Sequence, residues 1–97
     1  MAKGYWIAHV DVTNPEIYKE YVRLNGIAFA KYGGKFLIRG GKSEVISGHL
    51  QPRHVVIEFA SFEVAKACYD SPEYQAAVKV RNAASVADVV VVEGYDG

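Results

Sequence analysis

Arg39, Glu58 and His9 are the side chains whose types and positions could perform chemistry together. Each lies in a short run of aromatic and β-branched residues that predicts a β-strand. These runs are KFLIR at 35–39, RHVVIEF at 53–59 and YWIAHVDV at 5–12. An arginine can bind an anionic or enolic substrate, a glutamate can act as a base, and a histidine can transfer protons near neutral pH. The sequence therefore predicts a catalytic row of Arg39, Glu58 and His9.

Each of these three residues also has a structural interpretation, which the sequence leaves open. Arg39 and Glu58 could form an ion pair that bridges strands or subunits, because ion-pair networks also occur away from active sites. A histidine on a strand is often a hydrogen-bonded core residue, which is the alternative for His9.

Three tyrosines are candidates for contact with a bound ligand. Tyr5 falls on the same side of the first predicted strand as His9. Tyr69 and Tyr74 flank a Ser-Pro helix start and could present their hydroxyl groups at the mouth of a cavity. The alternative for Tyr69 and Tyr74 is packing with a hydrogen-bonded hydroxyl.

The motifs predict neither a metal nor a cofactor. His49 and His54 are five residues apart, but no third ligand stands at a recognisable spacing for zinc. Cys68, the single cysteine, has no histidine close to it in the sequence, which is typical of an inert buried thiol. The sequence contains no phosphate loop, nucleotide fingerprint or hydrolase elbow.

Length and composition predict a single domain, residues 1–97, in the cytoplasm. The net charge is zero, with 11 basic and 11 acidic residues, so the basic surplus of a nucleic-acid partner is absent. One cysteine favours a reducing compartment. Asp11 interrupts the N-terminal apolar run and the longest apolar stretch covers only 89–92, so neither a signal peptide nor a membrane partner is expected.

Proline and serine signals mark the predicted helices. Asn14-Pro15-Glu16 supplies an N-cap, a proline in the first turn and an acid, and Gly33-Gly34 ends that helix. Ser61 caps a short helix through Tyr69, and Ser71-Pro72-Glu73 restarts it to about Ala84.

The predicted strands complete a β-α-β-β-α-β order. The second strand is expected to continue past Gly40-Gly41 into 44–46, and the fourth to cover 87–94. This order is that of the ferredoxin-like fold, an α+β architecture with a four-stranded antiparallel sheet.

Alternation along the strands separates two sets of side chains. One set is wholly apolar and is expected to face the helices: Trp6, Ala8, Val10, Phe36, Ile38, Val55, Ile57, Phe59, Val90 and Val92. The opposite set is mixed: Tyr5, Ile7, His9, Lys35, Leu37, Arg39, His54, Val56, Glu58, Val89, Val91 and Glu93. Two helices cover only one side of such a sheet, so an identical chain is expected to cover the mixed side and enclose a partly polar space.

The catalytic row depends on the register of the hairpin. If Ile46 pairs with Arg53, Glu58 falls opposite Gly41. Glu58 is then close to Arg39, two residues before Gly41, and His9 lies on the next strand. The Gly-Gly pair would then be a β-bulge that turns the strand beside the pocket.

Several segments together resemble the domain-of-unknown-function 1330 family over nearly the whole chain. They are YWIAHVDV, NPEIYKEY, YGGKFLIRGG, VVIEF and CYDSPEYQAA, with Arg81 and the closing VVVVEG. That family is similar to the dimeric α/β-barrel superfamily, so the resemblance implies ferredoxin-like subunits that pack sheet to sheet. The superfamily includes cofactor-free oxygenases, lactone isomerases and haem enzymes. The haem enzymes generally place an axial histidine on a helix, whereas the three histidines here lie on strands or in a loop.

Two classes of function are expected to compete. The first is a cofactor-free homodimeric oxygenase or isomerase that acts on a small organic acid or aromatic, with Tyr5, His9, Arg39 and Glu58 lining the cavity. The second is a module that binds a small molecule without converting it, or a purely structural dimer. RNA binding is not expected, because the exposed side of strand three carries no aromatic residue for stacking on bases.

Overall fold

The structure is a computed structural model that describes residues 2–97. Its elements are β1 (Gly4–Val12), α1 (Pro15–Tyr32), β2 (Lys35–Arg39), β3 (Arg53–Phe59), α2 (Phe62–Asp70), α3 (Pro72–Ala84) and β4 (Ser85–Glu93). The strands form one antiparallel sheet in the order β2-β3-β1-β4. This topology confirms the predicted ferredoxin-like fold. No helix within residues 2–97 has the length and apolar character that a membrane span requires.

The helix boundaries lie at the capping residues that the sequence predicted. The Asn14 side chain accepts a hydrogen bond from the Ile17 amide at 3.2 Å, and α1 ends at Gly33 with φ of 71°. Ser61 and Ser71 cap α2 and α3 in the same way, through the amides of Val64 and Tyr74. These caps satisfy backbone groups that a helix end leaves without partners.

The hydrophobic core lies between the sheet and the three helices, with Trp6 at its centre. The Trp6 ring packs against the rings of Phe29, Phe59, Tyr69 and Tyr74 at centroid distances of 4.7 to 5.5 Å. Its indole N–H donates to the Ala65 carbonyl at 2.8 Å, which fixes the ring against α2. Trp6 is therefore a core residue, as predicted.

The predicted orientation of β4 is wrong by one residue. Trp6 pairs with Val91 and Ala8 with Val89, so Val89 and Val91 pack against the core. Val90 and Val92 lie on the uncovered side and are exposed. Four consecutive valines at 89–92 offer no polar alternation, so their pattern did not determine which of them faces the helices.

The predicted course of β2 is also wrong. The strand ends at Arg39, and positions 40–52 contain no strand. A bulge between Phe36 and Ile38 shifts the register, so that Ile38 pairs with Val56 and Arg39 with Val55. Since Val55 belongs to the core, this shift places Arg39 on the helix-covered side and Ile38 on the uncovered side.

Candidate functional site

A partly enclosed cavity of about 30 Å³ lies between the sheet and helices α1 and α3. We call it the helix-side pocket. The polar side chains that line it are Tyr18, Tyr21 and Asn25 of α1, Tyr74 and Arg81 of α3, Arg39 of β2 and Arg53 of β3. Arg39 is exposed and Tyr18 and Arg53 are half-buried, whereas the other four are buried, so the two β-strand arginines are nearer to solvent than Arg81.

Hydrogen bonds connect the buried polar groups of this pocket. The hydroxyls of Tyr21 and Tyr74 lie 2.7 Å apart, and Arg81 Nη1 donates to the Tyr74 hydroxyl at 3.2 Å. Arg81 Nη2 donates to the Tyr69 hydroxyl at 3.4 Å. Asn25 Oδ1 and Arg81 Nε, on residues only 6% and 8% exposed, have no hydrogen-bond partner among the described residues. Such unpaired buried atoms are costly and are unusual in a folded protein.

Burial keeps the two linked tyrosines in their neutral form. It is the main cause that raises the pKa of Tyr21 far above its usual value, and the neighbouring Tyr74 raises it further. Burial likewise raises the pKa of Tyr74, although the hydroxyl of Tyr21 and the charge of Arg81 act in the opposite direction. Arg81 is thus a buried cation whose nearest hydrogen-bond partners are uncharged phenols.

The uncovered side of the sheet carries two separate polar pairs. We call this side the open face; it includes Tyr5, His9, Ile38, His54, Glu58, Val90 and Val92. The Tyr5 hydroxyl donates to Glu58 Oε2 at 3.3 Å, and burial together with the Glu58 charge raises the pKa of Tyr5. Nδ1 of His9 lies 2.8 Å from Nδ1 of His54, so one ring donates and the other accepts.

The structure does not bring the predicted catalytic row together. Glu58 pairs with Tyr5 and Lys35, whereas His9 pairs with His54, four residues further along both strands. That separation is about 13 Å at the rise of a strand. Arg39 lies on the other side of the sheet, with its guanidinium carbon 4.2 Å from the Phe36 ring centroid. The predicted register failed because the bulge falls before Arg39 rather than after it.

The two predicted helix tyrosines have different environments. Tyr74 is buried with a hydrogen-bonded hydroxyl, so it does not lie at a cavity mouth. Tyr69 is half-buried and its hydroxyl accepts from Arg81. Cys68 is fully buried, and burial raises the pKa of its thiol to about 12, which suits the predicted inert thiol. Within the described part of the chain, no three His, Cys, Asp or Glu side chains are grouped to hold a metal ion.

Sequence reasoning missed Tyr21, Asn25 and Arg81 as site residues. Their spacing held the signal: Tyr21 and Asn25 are one helical turn apart in the buried stripe of α1. Arg81 occupies the buried stripe of α3 with Tyr74. A polar residue inside an apolar helical stripe is therefore the signal that identifies this pocket.

Comparison with known proteins agrees with this fold. A family model described as "Domain of unknown function (DUF1330)" matches residues 3–95. No curated protein matches the chain. Among solved structures, a Rhodopseudomonas palustris protein of unknown function aligns with a TM-score of 0.77 and 21% identity, over 99% of this chain and 85% of that chain.

Two further similar structures are described by an activity or an oligomeric state. SnoaB from Streptomyces nogalater, a cofactor-independent oxygenase, aligns with a TM-score of 0.67 and 12% identity, over 100% of this chain and 97% of that one. A dimeric ferredoxin-like protein of unknown function from Thermobifida fusca aligns with a TM-score of 0.61 and 15% identity, over 95% of this chain and 89% of that one. At such identities the similarity establishes the fold.

Proposed function

The chain belongs to the DUF1330 family, whose description states no function, and from that premise we propose that it is a small-molecule-binding homodimer. Each subunit binds a small aromatic or enolic molecule in its helix-side pocket. The open faces of two subunits pack against each other and form the dimeric α/β barrel.

The observation that carries the ligand proposal is the set of buried polar groups around the helix-side pocket. Asn25 Oδ1 and Arg81 Nε lack partners there, and both residues line the cavity. A ligand hydroxyl can donate to Asn25 Oδ1, and a ligand oxygen can accept from Arg81 Nε, which would remove the cost of leaving these atoms unpaired. The half-buried Phe36 ring beside the exposed Arg39 suits an apolar ligand body that lies at the opening of the pocket.

The dimer proposal is supported by the open face. An apolar row crosses the four strands of this face, formed by Ile38, Val56, Ile7 and Val90, and its two ends are exposed. Helices cover only the opposite side of the sheet. Grouped apolar side chains of this size favour burial against a second layer. The Thermobifida fusca structure with the same fold is described as dimeric, which makes a second copy the most direct occupant.

Sedimentation equilibrium tests the dimer with two matched variants. Val90 on the open face is 51% exposed and Ile27 on α1 is 50% exposed, so a glutamate is equally tolerable at either site in a monomer. We expect the wild type and Ile27→Glu to be dimers and Val90→Glu to be a folded monomer. A monomeric wild type, or a Val90→Glu dimer of unchanged affinity, would overturn this assembly.

The reaction class best supported is cofactor-free oxygenation, because SnoaB shares the fold and is described as a cofactor-independent oxygenase. Simple binding is the competing role. Oxygen uptake with a bound ligand, followed by mass analysis of that ligand, separates the two roles. Conversion to an oxygenated or isomerised product indicates an enzyme, and recovery of the unchanged ligand indicates a binding module.

A second candidate site is the space that the two open faces would enclose. The Tyr5–Glu58 hydrogen bond and the His9–His54 contact favour it, because each pair can share a proton. Glu58 and His9 would act there as proton acceptors, without Arg39. Loss of turnover in Glu58→Gln or His9→Ala, with normal ligand affinity, would assign the chemistry to this space.

The ligand site itself can be tested through Trp6, the single tryptophan, which lines the helix-side pocket. Native mass spectrometry of the purified protein identifies any co-purified molecule, and its rebinding is followed by Trp6 fluorescence. We expect Asn25→Leu to weaken binding about tenfold, since a buried hydrogen bond is lost. Asn82→Leu, at an exposed position of α3, is the control. Unchanged affinity in Asn25→Leu would exclude the helix-side pocket as the ligand site.

A further inference from the structure

The helix-side pocket has an unbalanced positive charge. Arg39, Arg53 and Arg81 all line it, and no aspartate or glutamate belongs to the described lining. The whole chain has equal numbers of acidic and basic residues, so this concentration of arginine is local. Converging cations repel one another most strongly where solvent is excluded.

None of the three arginines has an acidic partner among residues 2–97. The ion pairs found among residues 2–97 use Lys19, Arg23, Lys31 and Lys66 instead. Arg81 is 8% exposed and bonds only to tyrosine hydroxyls that burial keeps neutral. A buried cation without a counter-charge is strongly unfavourable, so this site lacks one negative charge that a ligand can supply.

The two outer arginines lie at the opening of the pocket with donors that the described residues leave free. The Arg39 guanidinium stacks on the Phe36 ring at 4.2 Å, which orients its plane. Arg53 Nη1 lies beside Gly40, and Arg53 Nε is buried without a partner among the described residues. Each guanidinium presents N–H groups that can bind a carboxylate through two hydrogen bonds.

The size of the cavity limits which part of a ligand can enter. About 30 Å³ is room for a group of a few atoms, far less than the space occupied by a drug-sized ligand. A carboxylate is small enough, and the attached ring would lie nearer solvent, beside Phe36 and Arg39.

From this geometry we infer that the ligand is a small aromatic carboxylate, with its negative charge held by Arg81 and by Arg53 and Arg39 nearer the opening. The inference rests on the proposed function, since it names the class of molecule that the helix-side pocket takes. The ring contributes apolar contact and the carboxylate supplies the missing counter-charge. A hydroxyl on the ring, as in salicylate, can donate to Asn25 Oδ1, which the carboxylate cannot do.

Matched acids and amides test the charge separately from the ring. Benzoate, salicylate, phenylacetate and cinnamate are titrated against Trp6 fluorescence beside benzamide, salicylamide, phenylacetamide and cinnamamide. We expect at least one acid to bind about tenfold or more tightly than its own amide, because charge-assisted hydrogen bonds are stronger than neutral ones. Its affinity should fall as salt is added.

Variants locate the effect on the arginines. Arg53→Met should weaken binding of that acid about tenfold and leave the amide unchanged. Arg81→Met should weaken binding of the acid more than binding of the amide, because Arg81 Nε can also donate to an amide oxygen. Arg53→Met keeps the test decisive if the Arg81 variant does not fold. Arg23→Met, at an exposed position of α1 paired with Glu20, is the control and should bind like wild type.

The possible results distinguish failure of the carboxylate inference from failure of the proposed function. If acids and amides bind equally and Asn25→Leu weakens both, the helix-side pocket is a ligand site and the carboxylate inference is wrong. If neither acids nor amides bind and no molecule co-purifies, both the carboxylate inference and the proposed function are wrong. Tighter binding of an acid that Arg53→Met does not affect would also overturn the role given to these arginines.

Discussion

Polar side chains are arranged differently on the two faces of the sheet. On the helix-covered face, Tyr21, Tyr74 and Arg81 form a connected network around a cavity, enclosed by aromatic rings. On the open face, polar side chains pair off in the Tyr5–Glu58 and His9–His54 contacts, among exposed valine and isoleucine. The helices of the same subunit therefore enclose the helix-side pocket, whereas the polar pairs of the open face need a second subunit to exclude water.

The largest expected effect is on the free energy of unfolding, when one apolar side chain on each face is truncated to alanine. Trp6→Ala removes the ring around which the core aromatics pack, and we expect the free energy of unfolding to fall by about 3–5 kcal/mol. Val92→Ala truncates a smaller side chain, which is 39% exposed in one subunit and would lie in the proposed dimer interface, and the expected loss is about 1 kcal/mol. Urea unfolding followed by circular dichroism at one protein concentration measures both.

Similar losses for the two variants would contradict the contrast between the faces. Because small domains are stabilised by only about 5–15 kcal/mol, Trp6→Ala could be largely unfolded. Trp6→Phe retains a ring at the site and serves as the intermediate variant, with a loss between those of the two alanine variants.

Alkaline pH provides a second test, which concerns mainly the helix-covered face. Tyr5 on the open face also has a raised pKa, and its contribution is the same in every protein compared. The pKa values of Tyr21 and Tyr74 are raised by burial above the unfolded value of about 10. The unfolded chain therefore releases these protons above about pH 10, while the folded chain keeps them. Stability is unaffected by the pair below that pH and falls above it, by up to about 1.4 kcal/mol per pH unit for each hydroxyl.

The slope of stability against pH between 9 and 11 identifies the responsible groups. Tyr21→Phe should reduce the slope, whereas Tyr95→Phe, at an exposed position, should leave it as in wild type. The Cys68 thiol, with its pKa raised to about 12, contributes a decline that is common to all three proteins. A Tyr21→Phe slope equal to that of wild type would show that this hydroxyl ionises in the folded state.

The sequence predicted the fold better than it predicted the site, for physical reasons. Helix caps are local: Asn14, Ser61 and Ser71 bond to amides three residues away, so their signals can be read from short segments. The site depends on strand phase, and a bulge at β2 changes that phase without any change in composition. Arg39 was therefore assigned to the wrong face: it was expected in a space between two open faces, whereas it lines the helix-side pocket.

The smallest expected effect is at the end of β2, where two glycines allow the faces to be compared at adjacent positions. Gly40 and Gly41 have φ of 73° and 89°, so an alanine at either site should cost about 1 kcal/mol for its left-handed backbone. A Cβ at Gly40 would meet Arg53 at the helix-side pocket, whereas nothing lies within 4 Å of a Cβ at Gly41. The long arginine side chain can shift, so the two variants should differ in stability by less than about 0.5 kcal/mol.

The two glycine variants should differ in ligand affinity, since only Gly40→Ala displaces a guanidinium that lines the pocket. Thermal unfolding and titration with an aromatic acid measure the two quantities, and equal affinity in both variants would remove Arg53 from the ligand site.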